Sequence, residues 1–162
     1  MADIVDSETR SRMMSGIRGK NTRPEIQVRQ ILHRLGFRFR LHVSRLAGKP
    51  DIVLSRFKAA ILIHGCFWHG HECALFRWPA TRPEFWRQKI GRNRINDART
   101  VEKLREDGWR VATIWECAMR GDTRMNTDEL GNTLKKWLHS CVDEIEIPQN
   151  LMGRGNESRA SF

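Results

Sequence analysis

Residues 64–73 combine side chains that could bind a metal ion with side chains that could move protons. The segment reads His64-Gly65-Cys66-Phe67-Trp68-His69-Gly70-His71-Glu72-Cys73. Cysteine and histidine are the ligands that zinc prefers, and imidazoles also titrate near neutral pH. Free cysteine and tryptophan are usually buried, whereas a stretch rich in histidine and glycine is typical of a loop. A loop folded around a metal ion is therefore the simplest interpretation.

Three of these residues, Cys66, His71 and Cys73, could ligate one ion from a single loop. Cys117, which follows a predicted strand, is a candidate fourth ligand, so the sequence predicts a Cys3His zinc site. The spacing matches no common zinc finger, His69 competes with His71 for the histidine position, and buried thiols without metal are the alternative. Four protein ligands would close the coordination shell. Such a zinc ion would be structural, and catalysis would lie elsewhere.

The charge of the chain favours a polyanionic partner. The chain has 29 Lys and Arg against 19 Asp and Glu, a formal net charge of +10 over 162 residues, and basic residues recur in residues 10–23, 38–49 and 87–105. Nucleic acid is the leading candidate, with a solvated basic surface as the alternative. We find no apolar run long enough to cross a bilayer and no secretory signal, and expect a cytoplasmic protein with reduced cysteines.

Hydrophobic periodicity predicts a mixed α/β domain with helices covering a central sheet. It places helices at about 22–35, 83–90, 92–107 and 130–138, and strands at 37–41, 51–54, 59–63 and 109–115. Cys141 is expected to be buried on the apolar side of the last helix. We predict a flexible amino-terminal segment over residues 1–20, one folded domain over 21–145 and a disordered tail over 146–162.

Asp51 begins a predicted strand after the turn Gly48-Lys49-Pro50, and a second strand follows it. Divalent-metal nucleases use this arrangement, in which a carboxylate on a strand holds Mg²⁺ against the scissile phosphate. Pro-Asp before a strand is also ordinary turn chemistry. The second strand, residues 59–63, lacks the acid and the lysine that usually complete the nuclease pattern. These residues alone therefore leave the function open.

Longer motifs resemble one known family, the very short patch repair endonucleases, from about residue 9 to residue 138. The motifs are Gly48-Lys49-Pro50-Asp51, residues 63–69, residues 79–86, Lys89-Ile90-Gly91, Asp97, residues 108–111 and residues 115–118. The resemblance implies a bacterial enzyme with a restriction-endonuclease-like fold, a central mixed sheet flanked by helices, and a structural zinc site. It also implies that the enzyme initiates repair by nicking one strand 5′ of the thymine in T:G mismatches left by deamination of 5-methylcytosine.

The same resemblance assigns roles to individual residues. Asp51 and the backbone carbonyl of Ile63 match the ligands of a catalytic Mg²⁺, and although position 63 is commonly threonine in the family, a carbonyl ligand tolerates isoleucine. His69 matches the residue that activates the attacking water, and His64 a histidine that could assist the leaving group. Glu25 matches a supporting acid near His69 and the metal-bound water. For His64, a buried and hydrogen-bonded structural histidine is the alternative.

Phe67, Trp68 and Met14 match residues that intercalate beside the mismatch. Rings on a rigid loop can wedge into a base stack that a mismatch has already weakened. Without the resemblance, both rings would be assigned to the core. The basic segment of residues 1–20 is expected to clamp the other side of the duplex and to become ordered only on DNA.

The expected partner is double-stranded DNA with a T:G mismatch. We expect a monomer in the bacterial cytoplasm, on the nucleoid when bound to DNA and not on membranes. Mismatch-repair proteins and a repair polymerase are further candidate partners. Two alternatives stay open, namely a Mg²⁺-dependent nicking endonuclease of broader or no mismatch specificity, and a non-catalytic zinc-stabilised DNA-binding module. The presence of Asp51, His64 and His69 argues against the second alternative.

Overall fold

The structure is a computed structural model that describes residues 21–149. Met14 and the rest of the predicted amino-terminal segment lie outside the described residues, as does the predicted tail from residue 150 onward. Within the described range, the helices are too short or too polar to cross a membrane.

The described chain forms three helices and one five-stranded sheet. In chain order the elements are α1 (Arg23–Arg34), β1 (Arg40–Leu41), β2 (Ile52–Leu54), β3 (Ala59–His64), α2 (Pro83–Glu106), β4 (Arg110–Trp115), α3 (Thr127–Leu138) and β5 (Glu144–Ile147). The strands lie in the order β1-β2-β3-β4-β5. The strand β2 is antiparallel to both of its neighbours, β1 and β3, whereas β3, β4 and β5 are parallel. The predicted mixed α/β class is confirmed.

Alternate residues of the central strands face two helical layers. Ile61 of β3 and Ile114 of β4 pack with α1 and α3, whereas Leu62 and Val111 pack with Leu104 of α2. Burial on both faces explains why β3 is an uninterrupted apolar run. Because β2 and β3 are antiparallel, the carboxyl end of β3 lies beside the start of β2. This topology brings two predicted site segments together.

One prediction about the helices is wrong, because residues 83–90 and 92–107 belong to a single helix of 24 residues. Gly91 lies inside this helix, with nothing within 4 Å of the position of an added Cβ. An interior glycine costs about 0.5–1 kcal/mol relative to alanine, which is too little to interrupt a helix that packs on the sheet. Residues on both sides of Gly91 therefore share one rigid element.

The edges of the sheet also differ from the prediction. Only Arg40–Leu41 pair with β2, although Phe37 and Phe39 pack against the core as their alternation predicts. The strand β5 has no predicted counterpart, and it crosses the expected boundary between residues 145 and 146 to end at the buried Ile147. Cys141 is exposed and follows α3, so the prediction that it is buried on that helix is wrong.

Candidate active site and metal cluster

Asp51 lies directly against the end of β3. Its Oδ2 accepts a hydrogen bond of 2.7 Å from the backbone N–H of Ile63. Burial, and to a smaller extent the negative charge of Glu25, raise the pKa of Asp51 to about 6 although the Ile63 N–H lowers it. A divalent cation would stabilise an anionic carboxylate that burial and a second acid disfavour. The oxygen donors at this position thus fit a hard metal ion.

Glu25, His42 and Asp51 each bring one ligand atom within 4.8 Å of the others. Glu25 is in the first turn of α1 and only 3% exposed, and it accepts hydrogen bonds from the Asn21 N–H and the Arg29 guanidinium. Arg29 also contacts His42 Nε2 at 3.1 Å. Because a guanidinium only donates, Nε2 accepts, and the proton of a neutral ring is on Nδ1. That nitrogen lies 4.0 Å from Asp51 Oδ1.

His42 is absent from the predicted site. It follows β1 directly, and its backbone N–H donates to the carbonyl of Asp51 at 3.2 Å. No local pattern marks this histidine, because only the register of β1 against β2 brings it to Asp51. Glu25 makes its side-chain contacts with Asn21, Thr22, Arg29 and His42. Its predicted place near His69 and the metal-bound water stays a prediction.

His64 and His69 stack on each other, with ring centroids 3.9 Å apart and planes 4° apart. Burial, followed by the charge of His69, lowers the pKa of His64 to about 4, so its ring is neutral in the free protein at pH 7. His64 Nδ1 is buried and has no hydrogen-bond partner among the described residues. The predicted alternative of a hydrogen-bonded structural histidine therefore finds no partner for this nitrogen among residues 21–149.

The other histidine of the pair is oriented by α2. His69 Nδ1 lies 2.6 Å from Oδ2 of Asp97. Because an ionised carboxylate only accepts, His69 donates from Nδ1, and a neutral ring keeps Nε2 as its proton acceptor. The sequence motif contains Asp97, but sequence reasoning gave it no role.

The four predicted zinc ligands converge. Cys66, His71, Cys73 and Cys117 each place one ligand atom within 4.8 Å of the others. The two sulfur–nitrogen distances from His71 Nδ1 are 3.6 Å to Cys66 and 3.5 Å to Cys117. Tetrahedral coordination with ordinary zinc bond lengths requires about 3.6 Å between S and N ligands. Burial raises the pKa of Cys66, and that of Cys117 to about 11, so a cation is needed to favour the thiolates.

His69 and His71 were the two candidates for the histidine ligand of this cluster. In the structure, His71 faces the cysteines and His69 faces Asp97. Trp115, the last residue of β4, lies between the cluster and the histidine pair. Its ring stacks on His71 with centroids 4.2 Å apart and meets His64 edge-on at 5.2 Å. Packing thus connects the metal cluster to the candidate active site.

Phe67 and Trp68 are half-buried and are held by α2. Phe67 packs edge-on against Trp68 and against Trp86 of α2, each at a centroid distance of 5.2 Å. Lys89 Nζ lies 5.3 Å from the Trp68 ring, and the Asn93 amide donates to the Trp68 carbonyl at 2.7 Å. Sequence reasoning missed these α2 contacts. The available signal was the spacing of three and four residues from Trp86 to Asn93, which defines one helix face.

Comparisons with known proteins are consistent with the candidate active site described above. Residues 2–75 match the family described as DNA mismatch endonuclease Vsr. The protein of that name from Escherichia coli (strain K12) is 43% identical over 138 residues, which cover 85% of this chain and 88% of that protein. The chain belongs to the Vsr family.

Two further relatives of this Vsr family member are type II nicking enzymes. V.XorIIP from Xanthomonas oryzae pv. oryzae is 45% identical over 119 residues, covering 74% of this chain and 88% of the relative. V.NmeAIP from Neisseria meningitidis serogroup A is 42% identical over 120 residues, covering 74% of this chain and 86% of the relative. The family predicted from the sequence motifs is confirmed.

Proposed function

We propose that this chain is a DNA mismatch endonuclease with a restriction-endonuclease-like fold. It nicks one strand 5′ of the thymine in T:G mismatches that arise from deamination of 5-methylcytosine. The supporting observation is that Asp51, the Ile63 backbone and the stacked His64–His69 pair meet at one end of the sheet in a Vsr family member. This arrangement supports an oxygen-donor metal position next to two proton-transfer groups.

Two metal ions belong to this proposal. Asp51 and the backbone carbonyl of Ile63 would hold Mg²⁺, which neutralises charge on the scissile phosphate and lowers the pKa of bound water. A structural Zn²⁺ would be held by Cys66, His71, Cys73 and Cys117. The first ion is required for the reaction, and the second for the loop that carries His69.

His69 accepts the proton of the attacking water at Nε2, since its Nδ1 donates to Asp97. The Asp97 carboxylate then stabilises the imidazolium that forms. His64 is neutral in the free protein, but a phosphate in the site brings negative charge that favours its protonated form. Protonated His64 donates to the leaving oxygen. His42 lies beside the Asp51 carboxylate, and Glu25 adds a second negative charge that favours a bound cation.

Mismatch recognition is assigned to Phe67, Trp68 and Met14, which insert beside the mispaired bases while residues 1–20 clamp the far side of the duplex. The half-buried rings support this role, because part of each ring is available to a base stack. The net charge of +10 supports binding to the phosphate backbone. We propose a monomer that acts in the bacterial cytoplasm on the nucleoid, with mismatch-repair proteins and a repair polymerase as further partners.

The test is a nicking assay on T:G and fully matched duplexes of varied sequence context, with each strand labelled separately, in Mg²⁺ and in EDTA. We expect one Mg²⁺-dependent cut, 5′ of the mispaired thymine. Equal cutting of both strands contradicts a monomer with one active site. Equal cutting of matched and T:G duplexes supports the broader nicking activity instead, and the absence of cutting supports a DNA-binding module.

A further inference from the structure

A second groove lies at the opposite end of β2 from Asp51. It is bounded by the end of α1, the β1–β2 edge of the sheet, the turn Ser55–Phe57 and α3, and its volume is about 860 Å³. We call it the basic groove, because its charged lining residues are Arg38, Arg40, Arg56 and Lys135, with His139 beside them.

Among residues 21–149, no carboxylate lines the basic groove. None of its four cations forms an ion pair with an acidic residue within the range 21–149. In contrast, the groove beside His64 and His69 is lined by carboxylates of α2 and β5, including Glu102 and Glu144. Clustered cations without counter-charges create a positive potential that attracts a polyanion.

Three aromatic rings lie among these cations. Phe37, Phe57 and His139 form a triangle with centroid distances of 5.5, 6.1 and 5.4 Å. The Arg56 guanidinium lies 5.9 Å from the Phe57 centroid. His139 is exposed and the two phenylalanines are half-buried, so ring surface remains accessible. Proteins that bind unpaired nucleic acid combine cations that follow the phosphates with rings on which bases stack.

We propose that the basic groove binds an unpaired DNA strand, at a site separate from the active site. A duplex presents its phosphates on a convex surface and keeps its bases stacked inside, so it can contact the cations but cannot place a base on His139 or Phe57. An unpaired strand can do both. Nicking creates such a strand, because the cut leaves a free end that can separate from the duplex.

The test measures fluorescence anisotropy of a labelled twelve-residue oligothymidylate with the full chain, without added Mg²⁺, in the presence and absence of saturating unlabelled T:G duplex. We expect the oligonucleotide to bind with the duplex present, because the two sites are separate. Complete displacement of the oligonucleotide by the duplex would overturn the proposal.

Two adjacent lysines of α3 provide matched variants, since Lys135 lines the basic groove and the equally exposed Lys136 does not. Lys135→Glu is expected to weaken oligonucleotide binding about fivefold and to reduce the slope of log affinity against log salt by about 0.7 for each phosphate that the groove no longer neutralises. Lys136→Glu should have less than half that effect. Both variants should nick T:G duplex at the parental rate, and equal weakening by both would refute a specific site.

Base stacking is tested with an abasic oligomer of the same length. This oligomer should bind more weakly than oligothymidylate, and His139→Ala should weaken binding of oligothymidylate but not of the abasic strand. Circular dichroism of each variant confirms that it is folded. If the two oligomers bind equally well to the parent protein, the groove recognises phosphates only, and the assignment to unpaired DNA is wrong.

Discussion

His69 and Asp97 form a short hydrogen bond, Nδ1 to Oδ2 at 2.6 Å, between the loop of residues 65–73 and the middle of α2. The contact fixes both the orientation of the imidazole and the nitrogen that carries its proton. A general base needs the correct nitrogen within reach of the water as well as a suitable pKa. Asp97 is therefore a positioning residue in the proposed reaction.

Replacing Asp97 with Asn keeps the size of the side chain but removes the charge that stabilises the imidazolium. The nicking rate of Asp97→Asn on T:G duplex should fall by about 10²-fold or more, the range of a general base. The Michaelis constant and the affinity for uncut T:G duplex should stay near the parental values. Asp107→Asn is the matched control, because Asp107 caps the same helix and its carboxylate pairs with the exposed Lys103. Parental rates for Asp97→Asn would exclude the positioning role.

Asp51 is predicted to reduce the stability of the metal-free protein near neutral pH. Its pKa is raised from 3.8 to about 6 in the folded state, so the folded state binds the proton more tightly than the unfolded state. This contribution to stability is complete below pH 3.8 and is lost as the pH rises through 6. His64, whose pKa is lowered from 6.5 to about 4, has the opposite pH dependence in an overlapping range. The difference in the free energy of unfolding between the parent and a variant at position 51 therefore isolates the contribution of Asp51.

The variant Asp51→Asn should therefore be more stable than the parent. It should also be inactive, because it lacks the carboxylate proposed to hold the metal ion. At pH 7–8 without metal, its free energy of unfolding should increase by up to about 3 kcal/mol, at 1.36 kcal/mol for each pKa unit. The increase should disappear below about pH 4, since both proteins are then neutral at this position. Denaturant unfolding of both proteins at several pH values measures this increase in the free energy of unfolding. Added Mg²⁺ should stabilise the parent and not the variant, and the same response in both would remove Asp51 from the metal site.

Cys117→Ser should release zinc and lower the thermal stability, because binding energy at a structural zinc site is folding energy. Cys141→Ser is the matched control, since Cys141 is exposed and lies outside the cluster. Element analysis and thermal melts of the two variants make the comparison. In the parent, a thiol reagent should modify Cys141 rapidly and the other three cysteines only after chelation. Full zinc content in Cys117→Ser, or none in the parent, would contradict the Cys3His assignment.

The local sequence was sufficient to predict much of the fold and of the candidate site. The strands β2, β3 and β4 were located because each is a short apolar run bounded by turn residues, and three candidate metal ligands were predicted together because one loop contains them. The strand β5 was missed because its alternation of glutamate and isoleucine covers only four residues, and it pairs with β4, which is distant in sequence. His42 was missed for a related reason, since only strand register brings it to Asp51.

Trp68→Ala tests the proposed intercalation of the Phe67 and Trp68 rings. Binding to T:G duplex should weaken by about 1–3 kcal/mol, the scale of one base–aromatic stack. Binding to a matched duplex of the same sequence depends mainly on the basic surface and should change much less. Circular dichroism and zinc content of the same sample must match the parent. If the folded, zinc-loaded variant keeps its full preference for T:G, recognition resides elsewhere, and Met14 is the next residue to test.

Gly70 is predicted to be essential for the close contact between the loop of residues 65–73 and α2. Its φ is +61°, and an added Cβ would lie 2.5 Å from Ile90 and 2.6 Å from Arg94. Gly70→Ala should therefore lower the free energy of unfolding by about 2–4 kcal/mol, the sum of left-handed strain and overpacking. Gly36→Ala is the control, because Gly36 has φ +85° but open space around it, and should lose only about 1–2 kcal/mol. Equal losses in thermal or denaturant unfolding would show that the close approach to α2 is unimportant.

The unbroken helix α2 has one further consequence. At about 1.5 Å per residue it is a rod of roughly 36 Å. Trp86 contacts the aromatic rings near one end of this rod, and Asp97 holds His69 three turns further along. If DNA displaces the rings as proposed, the rigid helix would move Asp97, and with it His69, as one body. Discrimination against matched DNA should then appear in the rate of the chemical step as well as in affinity, so that a matched duplex forced onto the enzyme at high concentration is still cut slowly.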